Sequence, residues 1–170
     1  GDITRTYPVN GKFSPAQKRI YQKVLDFQNK IIAMVKPGVE FDIFQKLTIE
    51  RMTEIMIEEK ALKGNKEDLI KSGAFRRYYP HGLGHLLGLD VHDAGRISIN
   101  GKGRVLEPGM VFTVEPGLYF SAYDETLPEE LRGIGIRIED NVLVTESGCE
   151  VMTSHAPKNV ADLEDLIGRG

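Results

Sequence analysis

The chain has 170 residues, 41% apolar and 28% charged, the balance of a folded globular domain rather than a disordered segment, and long enough to bury a core. Lysine and arginine number 22 against 25 aspartates and glutamates, a net charge of −3 with no basic block, which excludes nucleic acid as a first-choice partner. Its apolar runs are too short for a membrane span, and the single Cys149 forms no internal disulfide, which favours a reducing compartment.

Residues 2–9 (DITRTYPV) alternate in the manner of a strand and lead into an NGK turn. A helix is predicted from Ser14, with Pro15 at the first helical position and Gln17 closing a capping box. It carries Ile20, Val24, Phe27, Ile31 and Val35 on one stripe and stops at Pro37-Gly38. A second helix is predicted from just after Asp42 to about Leu62, broken by Gly64-Asn65, and KEDLIKS reads as a short third. The last third changes period. Residues 110–116 and 117–120 read as strands after an LEPG turn, residues 135–145 read as one longer strand, and CEVMTS is its hairpin partner across an ESG turn. Residues 162–167 read as a terminal helix. Helices first and mainly antiparallel strands afterwards predict one α+β domain over residues 1–170.

Three of the four histidines fall within PHGLGHLLGLDVHD, residues 80–93. His81 and His85 stand four apart, as in a metal-binding helix, but Gly82 and Gly84 argue against a helix and for a close backbone approach. Two carboxylates shift the reading towards a metal. Glu115 ends an apolar strand, and Glu139 lies on a strand opposite the face of Ile136 and Ile138. A buried carboxylate is costly unless protonated, paired or bound to a cation. Together with Asp2 they make a set of one imidazole and three carboxylates, Asp2, His85, Glu115 and Glu139, with His81 and His92 near. Oxygen-rich, thiolate-free ligation suits Mn, Co, Fe or Zn, and bridging carboxylates suit a pair of ions. Cys149, after a turn and far in sequence from the histidines, does not read as a nucleophile.

The blocks GDITRTYPVNGKFSPAQKRIY, HGLGHLLGLDVHD, TVEPGLY and GIGIRIEDNVLV closely resemble, in order, the catalytic domain of the Xaa-Pro aminopeptidases. These are "pita-bread" metallopeptidases, a group that includes Xaa-Pro dipeptidase and methionine aminopeptidase. The resemblance implies two divalent ions, manganese first and Co, Zn or Fe as alternatives, held by Asp2, His85, Glu115 and Glu139. It implies that Glu115 also moves the proton of the attacking water, that His92 contacts substrate near the scissile bond, that His81 is a second active-site histidine, and that Arg137 orders neighbouring acidic groups. The substrates would be peptides with proline in second position, with no nucleic-acid or membrane partner, in a cytoplasmic homo-oligomeric parent. Tyr119 and Arg104 are candidates for the proline pocket. The family's first aspartate ligand has no counterpart here, and neither Asp90 nor Asp93 replaces it. The chain is therefore expected to be the second half of the domain plus the tail of the first, holding one ion well and the other poorly. Xaa-Pro dipeptidase and a non-catalytic fragment or binding module are the alternative readings.

Overall fold

Helix α1 (Pro15–Met34) starts as its sequence dictates. Ser14 Oγ accepts from the Gln17 N–H at 3.2 Å, and Gln17 Oε1 accepts from the Ser14 N–H at 2.9 Å. The computed structural model describes residues 1–95, 97–99 and 102–167. The buried stripe of α1 includes Ile20, Val24, Phe27 and Ile31, and one polar residue, Gln28, shares it. Helix α2 (Phe41–Glu58) begins earlier than predicted, with Glu40 rather than Asp42 at the cap position and no side-chain cap. The backbone supplies what a cap would: the Phe41 N–H donates to Arg104 O at 3.0 Å. The helix also ends before Leu62, because Lys60 adopts a φ of 60° and the Ala61 and Leu62 N–H groups both turn back to Met56 O. Asn65 then caps α3 (Lys66–Ser72), accepting from the Glu67 and Asp68 N–H groups.

Among the described residues seven short strands follow: β1 (Ser98–Ile99), β2 (Lys102–Gly103), β3 (Val111–Val114), β4 (Gly117–Tyr119), β5 (Gly135–Arg137), β6 (Asp140–Val144) and β7 (Cys149–Val151), before helix α4 (Val160–Ile167). All pairings are antiparallel, in the orders β1-β2, β3-β6-β7 and β4-β5. Helices packed on antiparallel strands match the predicted α+β class.

The single strand predicted over residues 135–145 is two strands in two ladders. Val114 faces Asp140 in one and Gly117 faces Arg137 in the other, so both keep the same register. Glu115 therefore stands opposite Glu139, and Pro116 opposite Ile138, in the gap. The ladder lapses there for covalent and competitive reasons. Pro116 has no N–H to donate. The Glu115 N–H turns to Leu83 O at 2.8 Å, and the Glu139 N–H to Thr4 O at 3.0 Å.

The strand predicted over residues 2–9 is reduced to one bridge, Thr4 with Glu139. Beyond it the Thr6 hydroxyl replaces the backbone, accepting from the Arg137 N–H at 3.1 Å and donating to Arg137 O at 2.9 Å, and Pro8 cannot extend a ladder. Strand alternation then sorts the sheet's faces. One face buries Phe112, Val114, Leu118, Ile136, Ile138 and Val142 against the core to which α1 contributes, each such side chain stabilising the fold by about 1.5–3 kcal/mol. The other carries Thr113, Glu115, Tyr119, Arg137 and Glu139.

Candidate metal centre

The histidine segment reaches this second face by lying along β3. The Glu115 N–H donates to Leu83 O at 2.8 Å, the Thr113 N–H to His85 O at 2.9 Å and the Leu87 N–H to Val111 O at 2.9 Å. Gly84 is required here: a Cβ on it would lie 1.8 Å from the carbonyl oxygen of Thr113. The close approach expected of the glycines is realised at Gly84, whereas a Cβ on Gly82 would meet only Gln45 Oε1 at 3.6 Å. Gln45 instead holds the segment through the Leu83 N–H, at 2.7 Å.

The register fixes the rest. His85 Nδ1 donates to Leu86 O at 3.1 Å, which turns Nε2 towards Asp2 Oδ2 at 3.3 Å and Glu115 Oε1 at 3.6 Å. Potential ligand atoms fall into two overlapping trios, each within 4.8 Å: Asp2, His85 and His92, and His85, Glu115 and Glu139. All four side chains expected as ligands are thus brought together. His92, expected beside the substrate, also stands in ligand range, its ring 4.2 Å from that of His85.

Electrostatics favour a cation at this point. Burial pushes the Glu115 carboxyl above its ordinary value, against the Thr113 hydroxyl bonded to it at 3.1 Å. Burial also raises Glu139, and the charges of Glu115 and Asp2 add to the effect against a hydrogen bond from the Thr4 hydroxyl. Like charges directly opposite on a sheet destabilise it, and a divalent ion between them reverses the sign. With carboxylate oxygens and imidazole nitrogens and no thiolate, the donor set fits a hard or borderline divalent metal.

A second layer holds this set. Arg137 Nε donates to Thr4 Oγ1 at 3.1 Å, and Thr4 in turn bonds Glu139. Burial opposes the Arg137 charge, but Tyr119, Glu139 and Glu115 outweigh it and raise the guanidinium pKa. His81 lies beside this layer, outside both trios. Its Nδ1 donates to Gly82 O at 2.7 Å, burial lowers its pKa, and the neutral ring accepts the Tyr119 hydroxyl at Nε2, 2.6 Å away.

The backbone of Arg104 pairs with Phe41 and Ile97. Asp93 Oδ1 accepts from the Gly95 N–H at 2.6 Å and orders its own loop, and Asp90 is in neither trio. Cys149 donates to Ile32 O, with its pKa raised by burial, the environment of an unreactive thiol. Thr4, Thr113 and Gln45 were not legible as site residues; the one local signal was a threonine two positions before Glu115, on the same strand face.

The model of metallopeptidase family M24 matches residues 1–146. The chain is 48% identical over 167 residues to the Xaa-Pro aminopeptidase of Haemophilus influenzae, covering 98% of this chain and 38% of that protein. It is 45% identical to the Xaa-Pro aminopeptidase of Escherichia coli, covering 98% and 37%. Proline aminopeptidase P II from Yersinia pestis superposes with a TM-score of 0.92 at 45% identity, over 100% of this chain and 39% of that one. Zn-substituted Escherichia coli aminopeptidase P in complex with product gives 0.90 at 44%, over 98% and 38%. The chain therefore spans well under half the length of these relatives. Four motif blocks in order, the α+β fold with its interrupted ladder and these likenesses lead to one assignment: the chain belongs to metallopeptidase family M24.

Proposed function

We propose that this chain supplies most of the metal centre of an Xaa-Pro aminopeptidase, acting on peptides with proline in second position. The observation that carries the reading is the convergence of His85 Nε2 with Asp2 and Glu115 at 3.3 and 3.6 Å. A divalent ion placed among these three side chains would satisfy all of them at once. The names of the relatives supply the substrate class. Within that class the chain contributes part of the catalytic domain.

Asp2, His85, Glu115 and Glu139 would hold one divalent ion and part of the shell of a second, with His92 close enough to Asp2 and His85 to join them. Such ions, when bound, polarise a scissile carbonyl and acidify the attacking water. The remaining chemistry belongs to the side chains. Glu115, partly buried and bonded by the Thr113 hydroxyl at 3.1 Å, is suited to take the proton of that water and return it to the departing proline nitrogen. His92, exposed at the rim, is placed to donate to the oxyanion. Arg137 and Thr4 keep Glu139 aimed. Neutral His81 has its N–H committed to Gly82 and its other nitrogen to Tyr119, so contact with substrate would require exchanging one of these bonds. Beside Tyr119 lies a cleft lined by Arg77, Ser121, Tyr123 and Asp124, a path for the peptide beyond the metals.

The test is Co2+ stoichiometry by elemental analysis, with hydrolysis of an Xaa-Pro tripeptide and dipeptide measured on the same preparation. In the full-length parent, Glu115→Gln is expected to keep most of the metal and lose most turnover. Unchanged turnover would remove the proton-transfer role, and a wild-type chain that takes up no metal would remove the reading.

A further inference from the structure

Gln28 is out of place by composition. It sits in the apolar stripe of α1 with no exposure, between turns occupied by Val24 and Ile31. Its Nε2 donates to two carbonyls, Val114 O at the end of β3 at 3.1 Å and Ile138 O between β5 and β6 at 3.0 Å. These residues immediately precede Glu115 and Glu139 and lie where the ladder lapses. The amide orientation is forced, because Lys158 Nζ, which can only donate, stands 2.9 Å from Gln28 Oε1 and turns the NH2 group towards the carbonyls. Lys158 is itself held by Asp140 at 2.8 Å.

The carboxamide thus supplies the donor that this rung lacks at Ile138 O. A regular rung at this point would require the Pro116 nitrogen as a donor, which proline does not provide. The Ile138 N–H still reaches Pro116 O, but only at 3.4 Å. One NH2 group with its two hydrogens on the Val114 and Ile138 carbonyls ties the two segments together at this weakened point.

We propose that Gln28 is a positioning residue for the metal centre, a strut that sets the Glu115–Glu139 spacing from the opposite face of the sheet. The proposal rests on the metal reading above. It explains why a polar side chain whose three heavy-atom partners all lie far away in sequence occupies an otherwise apolar stripe.

The test compares wild type, Gln28→Met and a control, Thr48→Val, which removes an equally buried hydrogen bond within α2. Co2+ affinity is measured by calorimetry, its coordination by the visible absorption spectrum, and stability by urea unfolding. Gln28→Met is expected to weaken Co2+ binding about 10–100-fold and to alter the Co2+ spectrum, while Thr48→Val leaves both unchanged. Should Gln28→Met fail to unfold cooperatively, Gln28→Glu takes its place, since it keeps the volume and the bond to Lys158 but turns an acceptor towards the two carbonyls. Wild-type affinity and spectrum in the folded variant overturn the strut. Absence of Co2+ uptake by wild type overturns the metal reading and the strut together, so the two failures are distinguishable.

Discussion

Asp140 is the most demanding electrostatic commitment in the chain. Its side chain is fully buried and accepts from Arg5 at 2.7 Å, Lys158 at 2.8 Å and Thr153 at 2.7 Å. Burial opposes its charge, and the bonds from Lys158, Arg5 and Thr153 outweigh that and hold the carboxyl below its ordinary value. In Asp140→Asn the shape survives, but an amide NH2 faces the Lys158 ammonium and two nearly buried cations lose their counter-charge. Removing one partner of a buried ion pair costs about 3–5 kcal/mol, against a total stability of about 5–15 kcal/mol for a domain. At about 2–4 °C per kcal/mol for this chain length, Tm should fall by about 6–20 °C. Urea unfolding followed by circular dichroism should show a lower midpoint with an unchanged slope. A loss below about 1 kcal/mol would mean that Arg5 and Lys158 find water or other partners, and would refute the treatment of this cluster as a closed buried unit.

The other predictions concern separate parts of the molecule. Gly84→Ala places a Cβ 1.8 Å from Thr113 O, so the histidine segment must lift from β3; Co2+ affinity should fall sharply, and calorimetry with native-like affinity would count against the close approach. His85→Ala should lower the metal count directly, since His85 belongs to both trios, and a normal count by elemental analysis would remove it from the ligand set. Glu59 is held below its usual value of 4.5: burial opposes its charge, and bonds from Lys23 and Arg19 outweigh it. Its contribution is therefore complete above the ordinary glutamate value and is lost as pH falls through the lower folded one. Glu59→Gln should flatten the acid limb of a stability-versus-pH curve, and an unchanged limb would place the acid sensitivity elsewhere.

Local chemistry was legible where one segment carries its own partners. The Ser14–Gln17 capping box, the turn at Pro37-Gly38 and the β6–β7 hairpin all involve residues close in sequence. Each candidate ligand was also legible, because a carboxylate on an apolar strand and a histidine among glycines are odd locally. Long-range competition was not legible. The first strand contracted because the Thr6 side chain, not its backbone, engages Arg137, and the strand after Gly135 broke because Thr4, arriving from the far end of the chain, took the Glu139 N–H. The role of Gln28 was not legible at all, because its partners lie 86, 110 and 130 residues away.

The bridge between Thr4 and Glu139 spans 135 positions and carries Asp2 into the centre with it. Closing so long a loop is entropically expensive and yields contacts only once both ends are ordered. We infer that the centre is completed late in folding, after the rate-limiting barrier. An ion that binds the finished centre then stabilises the native state without stabilising that barrier, so it acts as a brake on unfolding and leaves the folding rate alone. Stopped-flow kinetics with and without Zn2+ should shift the unfolding arm of the chevron only; an accelerated folding arm would show that the centre forms early.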